Sequence, residues 1–213
     1  MIDLASNKKF LIVEYILGKK AFTQYQVKKD LKTGMSVVNG TVALLLEKGV
    51  IKKTEKNYVL TDPEGLIELI AFFRNMEKLK IAEISTSLEK IEAIKIVPQD
   101  VVFCLETALE KYSNYYKSNR LSFYADEKTA KELEEKLVYK PGDTTIIEVY
   151  KEKPVISKTE AGMSDWKKLG IKNAEKLKFT TAIRTIIDLY SAKKGNAAEK
   201  LVEYLWGKQK SPV

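Results

Sequence analysis

The sequence predicts an α+β protein: a small, mainly helical N-terminal part with a basic hairpin, then a small α/β domain with a short sheet and C-terminal helices. Three observations carry this. Residues 24–60 run helix, break, helix and two extended stretches around a polar tip. Two runs rich in β-branched and aromatic residues, 121–125 (LSFYA) and 144–150 (TTIIEVY), flank a helical stretch. Two further helical segments, the first striped with Ile183, Ile186 and Ile187, close the chain. A mixed order of this kind suits helices packed on a small sheet.

Taken in order, Ser6 caps a helix over 7–17, whose broad apolar face includes Phe10, Leu11, Ile12, Val13, Ile16 and Leu17. Thr23 caps a second helix over 24–31. Lys32-Thr33-Gly34 is the break, with Gly34 suited to a tight turn. A third helix spans 36–48 and ends at Gly49, where a left-handed residue is wanted. Its Val38, Val42 (or Thr41) and Leu45 follow three- and four-residue steps and should face the core. Ser36, Asn39, Gly40 and Ala43 are left on a small, uncharged outer face. Residues 50–53 and 58–60 are extended around the polar tip 54–57, a hairpin carrying Lys52, Lys53 and Lys56.

Thr61-Asp62-Pro63-Glu64 is a capping box with Pro in the first turn. The helix it opens, 63–77, is apolar nearly all round, which calls for cover on more than one side, from this chain or from a second copy in a homodimer. Residues 79–84 alternate as a strand does, and a short helix follows before Val97. A helix is expected over 98–112, with Cys104 beside its stripe as a core residue. Tyr115, Tyr116, Lys117, Asn119 and Arg120 form a polar, aromatic loop. Asp126 caps a helix reaching 137, 141–143 turn, and 151–165 read as loop. Helices over 179–190 and 197–206, separated by Gly195-Asn196, end the ordered chain. The expected organisation is 1–62 as one domain, 63–97 as connector helix and linker, and 98–213 as the α/β domain.

Charge narrows the partners. The 213 residues carry a net charge of +8, with a pI near 9.2. Residues 1–62 hold 11 lysines and 6 acidic residues, so a net +5 sits in the first third of the chain. Such an excess favours a polyanion. There is no histidine and one cysteine, which removes histidine general bases, Ser-His-Asp triads, the usual zinc sites and any intrachain disulfide. No secretory leader is expected, and no apolar run approaches the roughly 20 residues that span a bilayer. The expectation is a cytoplasmic protein without a membrane partner.

Catalytic motifs do not emerge. The phosphate-cradling GxxxxGK[ST] and GxGxxG patterns and the GxSxG elbow are missing. The Gly-Ser turn and Asp-x-Asp strand of two-metal nucleotidyl transfer are missing too. Asp126-Glu127 and Glu134-Glu135 read as solvated helix charges. Neither an enzyme nor a cofactor is expected.

Residues 38–42 (VNGTV) and 45–51 (LLEKGVI) resemble the winged helix-turn-helix of bacterial and archaeal regulators. That resemblance covers 1–62 and implies double-stranded DNA as partner. Base edges would be met by Ser36, Asn39, Gly40 and Ala43, and phosphates by Lys32, Lys52, Lys53 and Lys56. The later part, chiefly Arg184-Thr185 with Asp188 on one helix, is similar to AbiEi-type antitoxins. These are winged-helix repressors of type IV toxin–antitoxin operons, with a C-terminal domain like a degenerate nucleotidyltransferase. The likeness implies a toxin-gene operator as target, and Arg184 and Asp188 as fold-stabilising partners without a catalytic role. The expected function is sequence-specific repression of transcription. The alternatives are a nucleotidyltransferase-like enzyme with a nucleic-acid-binding domain, and a winged-helix protein-interaction module.

Overall fold

The computed structural model describes residues 4–113, 116–137, 144–151, 160–161, 170–171 and 174–207. Over these the chain is a mixed α+β protein with ten α-helices and two sheets. It divides into two compact units, Met1–Asn75 with Val202–Val213, and Met76–Leu201. The division falls inside the stretch expected as a connector.

In the first unit, α1 (Asn7–Leu17) packs on α2 (Gln24–Leu31), α3 (Met35–Glu47) and α4 (Pro63–Phe73). The apolar spacing read from the sequence is the buried spacing: Phe10, Ile12, Val13 and Ile16 from α1, Val38, Val42 and Leu45 from α3, and Leu66, Ile67 and Ile70 from α4. Ser6 is the N-cap of α1, but its side chain makes no capping hydrogen bond. The helix α4 is shorter than 63–77, because Arg74 turns extended (φ −108°, ψ 116°). Its apolar girdle is not buried all round, and Phe72 stays 82% exposed. A three-stranded antiparallel sheet, in the order β1-β3-β2, joins β1 (Ala21–Phe22), β2 (Ile51–Lys53) and β3 (Tyr58–Leu60). The hairpin β2–β3 matches the sequence expectation, and β1 is an addition to it. That strand is two residues long and has no periodicity to announce it. Trp206, near the end of the final helix, donates from Nε1 to the Leu17 carbonyl at 3.3 Å.

The second unit is built on a six-stranded mixed sheet. After the short α5 (Met76–Leu79) come β4 (Lys80–Thr86), α6 (Lys90–Ile96), β5 (Val102–Phe103), α7 (Leu105–Tyr112) and β6 (Arg120–Tyr124). These are followed by α8 (Glu127–Lys136), β7 (Thr145–Tyr150), β8 (Glu160–Ala161) and a 3₁₀ turn at Ala174–Lys176. The strand β9 (Lys178–Phe179) and the helices α9 (Ala182–Ser191) and α10 (Gly195–Trp206) complete the order. The strand order is β4-β7-β6-β5-β9-β8, with β7–β6 and β5–β9 parallel and the other pairs antiparallel.

Its register sorts side chains cleanly by face. Opposed residues share a face, so Ile84, Ile147 and Leu121 align, as do Ala82, Val149, Phe123, Phe103 and Phe179. They form the apolar core with Ala93 and Ile94 of α6 and Ala130 and Leu133 of α8. The other face carries Glu83, Glu148 and Ser122 in one row, and Tyr150 and Tyr124 in the next.

Three expectations change here. The helix expected over 98–112 begins only at Leu105. Val102 and Phe103 are held between β6 and β9, and Leu105 has a left-handed backbone (φ 49°) that stops the helix from running further back. Phe179 likewise lies in β9, ahead of α9. Gly195 and Asn196 open α10 instead of forming the break that separates it from α9. A Cβ at Gly195 would come within 3.2 Å of the Tyr190 ring, so glycine is used there for close approach. The 141–143 turn and nearly all of the 151–165 loop lie outside the described residues.

Candidate nucleic-acid interface

The sequence of α2 and its turn determines how α3 is presented. Thr23 and Gln26 close a reciprocal capping box: Thr23 Oγ1 accepts from Gln26 N at 3.2 Å, and Gln26 Oε1 accepts from Thr23 N at 2.8 Å. Tyr15 of α1 donates to Asp30 of α2 at 2.7 Å. Burial, with the Asp30 carboxylate, pushes the Tyr15 hydroxyl up to about 12. The left-handed residue of the break is Lys32 (φ 48°), not Gly34, which has an extended backbone as the N-cap of α3.

One side of α3 is buried through Val38, Thr41, Val42 and Leu45. The Thr41 hydroxyl donates to the Val37 carbonyl at 2.8 Å, so its burial leaves no donor unmet. The other side bears Ser36, Asn39, Gly40, Ala43 and Glu47, all exposed. A Cβ at Gly40 would meet nothing within 4 Å among the described residues, so within its own unit no described element packs close on this glycine. The four residues expected at base edges therefore share one uncovered helix face.

The hairpin follows directly and its strand β2 touches α3. Gly49 has φ 73°, as the turn out of α3 requires. The tip is closed by Thr54 N to Asn57 O at 2.8 Å and Asn57 N to Thr54 Oγ1 at 3.1 Å. Its inner side is fixed by the stacked rings of Phe22 and Tyr58, 5.6 Å apart. Lys32, Lys52, Lys53 and Lys56 are all exposed. The structure separates two of them: Lys52 opposes Val59 and Lys53 opposes Tyr58, so they project to opposite sides of the ribbon. Lys28 and Lys29 on the last turn of α2 are exposed cations that the sequence reading does not single out. Their position on a helix end is their only signal.

The polar face of the second unit is a set of matched ions. Glu148, 2% exposed as a residue, accepts from Arg120 Nη1 at 2.5 Å and from Ser122 Oγ at 2.8 Å. Glu106 accepts from Tyr116 OH at 2.8 Å and pairs with Lys194 at 2.6 Å. Lys90 reaches Glu110 at 2.6 Å, yet burial outweighs that carboxylate and holds the amine below its ordinary range. Tyr116 and Arg120, expected in a polar, aromatic loop, are engaged in this set, and Arg120 opens β6; Tyr115 lies outside the described residues. Arg184 and Asp188 pair at 3.0 Å one turn apart, both buried. Cys104 is fully buried. Asp126 caps α8 through Thr129 N at 2.8 Å, and Glu134 and Glu135 are exposed. Among the described residues no group of three or more carboxylate or cysteine side chains is placed to hold a metal ion. No described helix is long and apolar enough to cross a membrane.

Comparison with protein-family models, curated proteins and solved structures found no match.

Proposed function

We propose that this chain is a sequence-specific double-stranded-DNA-binding regulator of transcription, a repressor that acts by occluding its operator. In this reading residues 1–62 are a winged helix-turn-helix. The helix α3 enters the major groove, the hairpin is the wing, and Lys32, Lys52, Lys53 and Lys56 hold phosphates. The observation that carries it is the uncovered face of α3, made of small uncharged side chains and adjoined by a lysine-bearing ribbon. Small side chains let a helix axis approach the groove floor, and flanking ammonium groups supply the sequence-independent part of the affinity. An antitoxin of the type IV kind is a special case of the same reading, in which the operator precedes a toxin gene.

Titration of the full chain into a labelled duplex at increasing salt tests the reading. Binding should weaken linearly on a double-logarithmic plot. Lys52→Glu with Lys53→Glu should lower affinity for all sequences and reduce the slope by roughly 1 to 2, depending on whether both lysines, which leave opposite sides of the ribbon, reach phosphates. A salt-independent interaction, or none at all, overturns the reading and leaves a protein-binding module in its place.

A further inference from the structure

We infer that α3 reads A·T base pairs, with Asn39 on an adenine and Ala43 against a thymine methyl group; this rests on the duplex-binding reading above and adds the composition of the site. The exposed face of α3 is short of chemistry. Ser36 and Asn39 are its uncharged hydrogen-bonding side chains, Gly40 and Ala43 have none, and Glu47 is an anion at the far end. The buried Thr41 hydroxyl is spent on Val37.

An asparagine carboxamide presents one acceptor and an NH₂ donor side by side. Adenine's major-groove edge presents the complement, an N6 donor and an N7 acceptor. Guanine presents two acceptors there, and the side chain that answers them with paired donors is arginine. No arginine occurs before Arg74, and Arg74 is 4% exposed. Nor does any lysine lie on α3, since the nearest are Lys32 before it and Lys48 after it. The helix thus carries an adenine reader and no guanine reader.

Ala43 lies one turn beyond Asn39 on the same face, with its methyl exposed. An exposed methyl matches the thymine C5 methyl and nothing on a G·C pair. Gly40 lies between them in the chain with open space where a Cβ would stand, so the helix backbone itself can approach the bases.

The experiment is selection of bound duplexes from a randomised pool by the full chain, at one fixed salt concentration, for the wild type, Asn39→Ala and Asn39→Gln. The wild type should enrich a core of A·T pairs. Asn39→Ala should lose the preference at one adenine, and Asn39→Gln, which offers the same donor and acceptor, should keep adenine there. Replacing that adenine by 7-deaza-adenine in the selected duplex removes the N7 acceptor. It should weaken wild-type binding by on the order of tenfold and leave Asn39→Ala unchanged. A G·C core or an unaltered motif with Asn39→Ala overturns this inference while leaving the duplex-binding reading intact; binding without any enrichment overturns it together with the sequence-specific part of that reading. Absence of binding to every duplex overturns both.

Discussion

Asp188 lies one helical turn beyond Arg184 on α9 and accepts from its Nε at 3.0 Å, while Tyr124 OH donates to the other carboxylate oxygen at 2.7 Å. The guanidinium also lies over the Tyr124 ring, 5.6 Å from its centroid. Both charges are buried, so each depends on the other. Asp188→Ala takes from the buried Arg184 guanidinium the carboxylate it is paired with and should destabilise the second unit by about 3–5 kcal/mol. Replacing both ions by apolar residues of similar volume, Arg184→Met with Asp188→Leu, should cost less than Asp188→Ala alone. Denaturant unfolding followed by circular dichroism reads the difference. If Asp188→Ala unfolds at the wild-type midpoint, the pair contributes nothing to the fold.

Gly40 separates stability from function. It sits inside α3 with open space around a hypothetical Cβ, and glycine in a helix interior is less favourable than alanine by roughly 0.5–1 kcal/mol. Gly40→Ala should therefore raise the melting temperature by a few degrees. The added methyl stands on the face proposed to meet the groove, so duplex affinity should fall. A stabilised variant with wild-type affinity would falsify the placement of this face against DNA.

The start of α4 hangs on one carboxylate. Asp62 Oδ1 accepts from Gly65 N at 2.8 Å, and a Cβ on Gly65 would stand 2.1 Å from Asp62 Oδ2. Gly65→Ala must displace the cap. It should cost about as much as Asp62→Ala, on the order of 1–2 kcal/mol. The double variant should cost little more than either single change, because the same hydrogen bond is lost in each. Additive losses in thermal unfolding would show that the two residues act separately.

Acid should loosen the second unit through Glu83. The hydrogen bond from the Lys80 ammonium holds its carboxyl below the ordinary glutamate range, against a smaller opposing effect of burial. The folded-state value is thus lower than the unfolded one. Its stabilising contribution is complete above the unfolded carboxylate range and is lost as pH falls through the folded value. Glu83 is about half exposed, so solvent screens the pair and the effect is modest. Glu83→Gln should flatten the decline in stability between roughly pH 5 and pH 2. An unchanged pH profile in equilibrium unfolding would remove Glu83 from the acid response.

The parts legible in the sequence are those set by local spacing. Val38, Val42 and Leu45 announce the buried side of α3, and so by subtraction its open side. Thr23 announces its helix start. The box read over 61–64 announces the next, but the cap is Asp62 with Gly65, not Thr61 with Glu64; the Thr61 hydroxyl donates instead to the Gly49 carbonyl. What the sequence conceals depends on distant partners. Val102 and Phe103 sit next to a helical stripe, and only their pairing with β6 and β9, the latter about 75 residues further on in the register Val102 to Lys178, makes them a strand. Arg120 and Glu148 are 28 positions apart, and nothing near either one names the other. At the proposed interface the residue types and their shared exposure are readable. The opposite projection of Lys52 and Lys53 follows from strand alternation once β2 is located.

Glu148 also bears on which sheet can form at all. It stands in β7 between Ile147 and Val149, whose side chains enter the core opposite Leu121 and Phe123. Sliding β7 by one position against its neighbours would turn the carboxylate inward among phenylalanines and strip it of Arg120 and Ser122. An ion without a counter-ion in that setting is far more unfavourable than any loss of apolar packing from the slip. One charged residue in the middle of a β-branched strand thereby works as a ratchet against one-residue slips, discarding the near misses that hydrophobicity alone would tolerate.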